Sequence, residues 1–96
     1  MLARDAQAEI DVAFAVQHLA SAAAGLGSFE RSARLMGFCD LRLTELDGVR
    51  EKTEDMEYAK TMSVLREQFD AQQLDKLMHE GQVWDEDQTI AEALLV

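Results

Sequence analysis

The sequence predicts an all-α fold of about five helices, arranged as antiparallel helical hairpins. Three observations lead to this prediction: the chain of 96 residues contains no proline, 48% of its residues are hydrophobic, and only 6% are aromatic. Runs of β-branched residues, which strands need, are missing. The hydrophobic content argues against disorder, and the length fits one domain with a modest core. We therefore expect a single helical domain over residues 1–96.

The first two helices are expected to form a repeat-like hairpin over residues 2–46. The run from Ala3 to Ala24 is rich in alanine and carries two apolar faces, which is typical of a central helix. Gly27 follows in the turn, and Ser28 stands where its hydroxyl can cap the next helix, which runs to about Leu46. The small side chains predict that the two backbones approach closely.

Three glycines have predicted structural roles. Gly37 lies inside the second helix, where glycine costs about 1 kcal/mol relative to alanine, so we expect it to allow the first helix to approach. Gly48, after Asp47, is expected to end that helix in the left-handed conformation. Gly81 is expected to end the fourth helix.

Residues 52–96 are expected to supply covering helices. A polar loop from Val49 to Asp55 leads into a third helix, whose buried face is predicted from apolar residues at helical spacing. These residues are Tyr58, Met62, Leu65 and Phe69. The fourth helix is expected to begin at Asp70, which forms a capping box with Gln73 and precedes a buried face of Leu74, Leu77 and Met78.

The last helix is predicted to begin at Asp85, which forms a second capping box with Gln88. Trp84 precedes the cap and is placed to pack back on the helix as a hydrophobic staple. The inward face of this helix is expected to carry Ile90, Ala93 and Leu94.

The charge of the chain restricts its partners. Nine basic and nineteen acidic residues give a formal charge of −10, which disfavours direct binding to nucleic acid and to anionic membranes. The acidity is consistent with a solvated surface or with recognition of a basic protein. Four acidic residues, Glu51, Glu54, Asp55 and Glu57, crowd the start of the third helix, where the helix dipole favours negative charge. We expect a dipole-matched helix start there, and no metal site.

Nothing in the sequence predicts catalysis. The single cysteine, Cys39, is expected to be a buried apolar residue in a reducing compartment. His18 has no ligating partner one helical turn away, and His79-Glu80 lacks the second histidine of a zinc-protease motif. No secretion signal or bilayer-length apolar run is present, so a cytoplasmic location is expected. We expect a protein without enzymatic activity, metal or cofactor.

Four blocks of the sequence carry a resemblance to a known family. They are Gly27-Ser28-Phe29-Glu30-Arg31-Ser32-Ala33-Arg34-Leu35-Met36-Gly37, a helix with Tyr58, Met62, Leu65 and Arg66, the turn Met78-His79-Glu80-Gly81, and a last helix with Asp85, Gln88, Ile90, Ala91, Ala93 and Leu94. The span from Ala15 to Leu94 resembles the C-terminal helical region of multidomain bacterial LuxR-type (MalT-like) ATPase transcription regulators and related signalling proteins. Its first hairpin also resembles a degenerate tetratricopeptide repeat. The residues of these motifs pack helices together. The resemblance therefore implies that the chain is part of a regulator, and it implies no catalytic activity.

The leading functional hypothesis is a non-catalytic protein-interaction module, the C-terminal repeat-like cap of a bacterial transcription regulator. Its docking face is expected on the first helix, around Ala8, Val12 and Ala15. The alternative is a free-standing acidic bundle that homodimerises or binds a basic protein through the cluster at residues 51–57 and the carboxylates at residues 85–87. A ligand groove between helices also stays open as a hypothesis.

Overall fold

The computed structural model describes residues 6–95, which form five α-helices and, over that span, no strand. The helices are α1 (Ala6–Gly25), α2 (Phe29–Glu45), α3 (Lys52–Gln68), α4 (Ala71–Gln82) and α5 (Glu86–Ala93). The predicted all-α fold with packed antiparallel helix pairs is confirmed. The predicted start of the first helix at Ala3 lies outside the described residues.

The hairpin of α1 and α2 is joined by a tight turn at Gly27. Gly27 has a φ of +84°, the left-handed conformation that favours glycine. The backbone N–H of Ser28 donates to the carbonyl of Ala23 at 2.8 Å, and that of Gly27 donates to Ala24 at 3.2 Å. These two bonds form a Schellman motif, which satisfies carbonyls at the end of α1.

Small residues hold α1 and α2 together, as the sequence predicts. The Ser32 hydroxyl donates to the Ala20 carbonyl at 2.7 Å, and the Cys39 thiol donates to the Ala13 carbonyl at 3.1 Å. Both side chains reach the backbone of α1 because alanine leaves it uncovered. The order of the two pairs along the chain shows that the helices are antiparallel.

Two predictions about the ends of α2 are wrong. Ser28 stands at the N-cap position, but its side chain makes no capping hydrogen bond. Its ψ of 63° departs from the extended conformation of a capping residue, because its N–H closes the preceding turn. At the other end, Asp47 takes the left-handed conformation expected of Gly48, with a φ of 52°.

The central helix is α2, whereas the sequence analysis assigns that place to the first helix. The α2 helix packs against each of the other four, while α1 packs against α2, α3 and α5. The reason is that α2 is apolar around most of its circumference. The neighbouring residues Leu35 and Met36 are both fully buried, although they point to different sides of the helix.

The α2 and α4 helices cross at two glycines. A Cβ atom added to Gly37 would lie 1.9 Å from the Met78 carbonyl oxygen, and one added to Gly81 would lie 1.8 Å from that of Arg34. Each glycine therefore faces the backbone of the other helix. The prediction that Gly37 allows the approach of α1 is wrong, because its neighbour is α4. Gly81 does not end α4 either; the helix continues to Gln82, and Gly81 is buried within it at this contact.

The starts of α4 and α5 have the predicted cap residues, although within residues 6–95 only the carboxylate half of each capping box is formed. The carboxylate of Asp70 accepts from the backbone N–H of Gln73 at 2.7 Å, and that of Asp85 accepts from Gln88 at 2.7 Å. The α3 helix begins at Lys52, so the predicted loop to Asp55 is too long. The Asp55 N–H already donates to the Glu51 carbonyl at 2.8 Å, which closes the first turn of that helix.

The covering helices bury most of their predicted faces. On α3, Met62 and Leu65 are buried and Tyr58 and Phe69 pack against the core, as predicted. On α4, Leu74 is buried and Leu77 and Met78 pack partly against the core. Trp84 also packs partly against the core, and its staple contact with α5 stays a prediction.

The face of α5 is the exception. Thr89 and Ala93 point inward, and Ile90 and Leu94, which were predicted to do so, are exposed. Burial of Thr89 is tolerated because its hydroxyl donates to the Asp85 carbonyl at 2.9 Å.

Candidate functional site

A network of polar side chains lies between α1, α2, α3 and the connection from α2 to α3. At its centre is Gln17 on α1, which is fully buried. Its amide nitrogen donates to the backbone carbonyl of Glu54 at 2.8 Å and to Glu57 Oε1 at 3.0 Å. Its amide oxygen accepts from Arg50 Nε at 2.6 Å. Both ends of the amide are therefore satisfied, which is what makes its burial tolerable.

Arg50 connects this amide to α2 and α3. Its Nη2 donates to Asp40 Oδ1 at 2.7 Å, and its guanidinium carbon lies 3.9 Å from the centre of the Tyr58 ring. The Tyr58 hydroxyl donates to the second oxygen of Asp40 at 3.1 Å. A guanidinium that bonds a carboxylate and stacks on an aromatic ring is held on two sides. The network thus fixes the connection at residues 46–51 against the hairpin.

The titratable groups of the network have a structural role. Burial raises the pKa of the Cys39 thiol from 9.0 to about 12, although the charge of Arg50 opposes this. At neutral pH the thiol is therefore protonated, and its proton is used in the bond to α1. Burial and the nearby Asp40 carboxylate also raise the pKa of Tyr58. Neither group is prepared to act as a nucleophile or a base.

The two histidines lie apart from each other and from Cys39. His18 is largely exposed, and its Nδ1 lies 2.7 Å from Glu57 Oε1. His79 is exposed on α4. Within residues 6–95, no group of three or more His, Cys, Asp or Glu side chains is arranged to hold a metal ion.

The acidic residues predicted as an interaction surface divide into two kinds. Glu57 is engaged by Gln17 and His18, and the backbone of Glu54 accepts from Gln17, so both help to hold α3 on α1. Glu51 and Asp55 are exposed. Of the four residues, Glu51 and Asp55 are therefore the most accessible to an external partner.

The three residues of the predicted docking face on α1 differ in exposure. Ala15 is exposed and Ala8 is partly buried. Val12 is partly buried and packs against the main core. The exposed side of α1 therefore runs through Ala15, between Asp11 and His18, with Val12 turned toward the core.

An open groove lies between α3 and α4. Its volume is about 390 Å³, and its apolar lining comes from Met62, Phe69, Leu74 and Met78. Arg66, Asp70 and Asp75 also line it, with Ala71 at the start of α4. The groove exists because the two helices make few contacts beyond their connection at Phe69 and Asp70, since each packs mainly on a different neighbour.

The residues at the centre of the network were missed as a site. In the sequence, Asp40 lies at helical spacing with apolar residues of α2, and Gln17 lies at helical spacing with apolar residues of α1. A polar residue in such a position needs a buried partner, which is a usable signal in the sequence. The identity of that partner was out of reach, because Arg50 lies 33 residues from Gln17.

Over residues 6–95, none of the helices combines the length and the apolar character that a bilayer crossing requires. Comparisons of the chain with protein-family models, with curated proteins and with solved structures find no match.

Proposed function

We propose that this chain is a non-catalytic helical module that works by binding another protein. The main support for the proposal is a cluster of exposed apolar side chains on the outward face of α5. Ile90 and Leu94 lie four residues apart, hence on one face, and are 37% and 75% exposed. Leu95 beside them is also exposed. Clustered exposed apolar residues are typical of protein interaction sites, whereas single ones are common on any surface.

The buried polar residues support the same proposal. The groups with catalytic potential, Cys39, Tyr58 and Asp40, are committed to contacts that hold helices together. The setting we propose is the C-terminal repeat-like cap of a bacterial transcription regulator, in accordance with the sequence resemblance. Repeat arrays need such caps because each unit contacts only its neighbours.

An immunoblot of source-cell lysate, with an antibody raised against this domain, tests whether the chain is part of a larger regulator. The proposal predicts a band much larger than the 10.7 kDa of this chain. A single band at 10.7 kDa would contradict the array cap and favour a free-standing protein.

The docking face is tested by the variant Leu94→Asp. Its matched control is Ser63→Asp, which adds the same charge at an exposed position of α3. We expect the control to retain the partner in a pull-down and Leu94→Asp to lose it, with both proteins equally helical. Equal retention by the two variants would show that α5 is not the docking face. The variant Val12→Glu tests the predicted α1 face in the same assay.

A second candidate is a free-standing acidic bundle that homodimerises or binds a basic protein. It is favoured by the exposed carboxylates of Glu51 and Asp55, which make no ion pair or side-chain hydrogen bond within residues 6–95. Binding through these groups weakens sharply as salt concentration rises, whereas binding through α5 does not. A salt titration of the complex therefore distinguishes the two candidates.

A further inference from the structure

The groove between α3 and α4 has a floor suited to apolar side chains. Met62 and Leu74 are buried at its base, and Phe69 and Met78 are partly exposed in it. Methionine has a flexible, polarisable side chain that adapts to differently shaped apolar partners, so it is common at surfaces that bind helices. A volume of about 390 Å³ accommodates a few apolar side chains.

The edge of the groove favours a cation. Asp70 and Asp75 both line it, against the single Arg66. Asp70 uses one oxygen to cap α4, whereas the exposed carboxylate of Asp75 makes no hydrogen bond or ion pair within the described residues. The chain as a whole carries a formal charge of −10, so its field also attracts basic partners and repels acidic ones.

We propose that this groove binds a basic amphipathic helix of a partner protein. Apolar side chains of that helix pack on Met62 and Met78, and its Lys or Arg side chains lie beside Asp75. This is the helix-in-groove mode, in which one apolar face provides the anchors and its flanks set the charge preference. The inference goes beyond the proposed function, because it names a second surface, separate from α5, and the class of partner that this surface binds.

The test is an NMR titration of the whole chain carrying ¹³C-methyl methionine. The probe is a synthetic peptide of about four helical turns, with Leu at helical spacing and Lys elsewhere. A second peptide has Glu in place of Lys. The expected result is binding of the Leu–Lys peptide with a Kd on the order of 10 µM and no binding of the Leu–Glu peptide. The methyl signals of Met62 and Met78 are expected to shift.

Two other methionines, Met36 and Met56, are internal controls for the site of binding. Met36 is fully buried, and Met56 is 65% exposed outside the groove, so neither signal is expected to shift. Met56 follows Asp55, so an equal shift there would indicate that the peptide binds the acidic start of α3 as well as the groove, and this would overturn the proposal. Binding of the Leu–Glu peptide, or no shift at Met62 and Met78, would also overturn it.

Charge reversal tests the role of Asp75. The variant Asp75→Lys is expected to weaken binding of the Leu–Lys peptide by about fivefold. The control Asp87→Lys changes the net charge equally at an exposed position outside the groove, and is expected to leave affinity within about twofold. Equal effects of the two variants on affinity would refute the contact of Asp75 with the basic side chains of the peptide. Leu94 lies outside the groove. If the peptide does not bind the groove, the groove proposal fails, and the pull-down with Leu94→Asp still tests the proposed function separately.

Discussion

The crossing of α2 and α4 is sensitive to a single methyl group at Gly37. In Gly37→Ala the new Cβ would lie 1.9 Å from the Met78 carbonyl oxygen, about 1.5 Å short of the 3.4 Å at which ordinary contact begins. The obstructing atoms are backbone, so no rotamer change relieves the clash. The two helices must separate, which also weakens contacts between their side chains.

The expected magnitude follows from two opposing effects. Overpacking of a rigid contact costs about 3 kcal/mol, at the upper end of its usual range. Alanine returns about 1 kcal/mol of helix propensity. The net loss in the free energy of unfolding is therefore about 2 kcal/mol, which corresponds to a decrease of about 8–16 °C in Tm for a domain of this size.

The assay is thermal unfolding followed by circular dichroism at the helix band. The matched control is Gly25→Ala, because Gly25 also lies in a helix but a Cβ there has no atom within 4 Å. We expect the control to leave Tm unchanged or to raise it slightly. A Gly37→Ala protein as stable as this control would refute the close crossing of α2 and α4.

Three further predictions concern the polar network and the caps. Gln17→Leu leaves Arg50 Nε without its acceptor and is expected to lower the free energy of unfolding in urea by about 2 kcal/mol, whereas Gln72→Leu on the exposed side of α4 changes it little. Because the pKa of Cys39 rises on folding, stability is expected to be intact below pH 9 and to fall as the pH rises toward about 12. Ionisation of this thiol lowers the free energy of unfolding by up to about 1.4 kcal/mol per pH unit. An equally steep fall in the Cys39→Ala protein would show that the thiol is not the cause. Asp85→Ala removes a cap and is expected to cost about 1 kcal/mol in thermal unfolding, and an unchanged Tm would mean that the cap contributes nothing.

The elements of the fold that depend on near neighbours in the chain could be predicted from the sequence. The caps at Asp70 and Asp85 and the turn at Gly27 each use hydrogen bonds that span a few residues. The apolar face of α3 runs from Tyr58 to Phe69, about three helical turns, so its period is well defined. The α5 helix has only eight residues, and a face there is easily displaced by one position, as it is between Ile90 and Thr89.

The elements that depend on distant residues could not be predicted. A glycine inside a helix indicates a close approach without naming the neighbour, so Gly37 was paired with the wrong helix. The signal at Gly81 was ambiguous, because glycine both ends helices and permits their contact. The groove at Met62 and Met78 likewise arises from how α3 and α4 pack on different neighbours, which local periodicity does not specify.

Binding of a partner protein through the outward face of α5 can be measured by site-specific photo-crosslinking in source cells. A photoreactive residue replaces Leu94 in one protein and Ser63 in its control, both at exposed positions. We expect one discrete adduct of higher mass from position 94 and none from position 63. No adduct at position 94, or the same adducts from both positions, would contradict it.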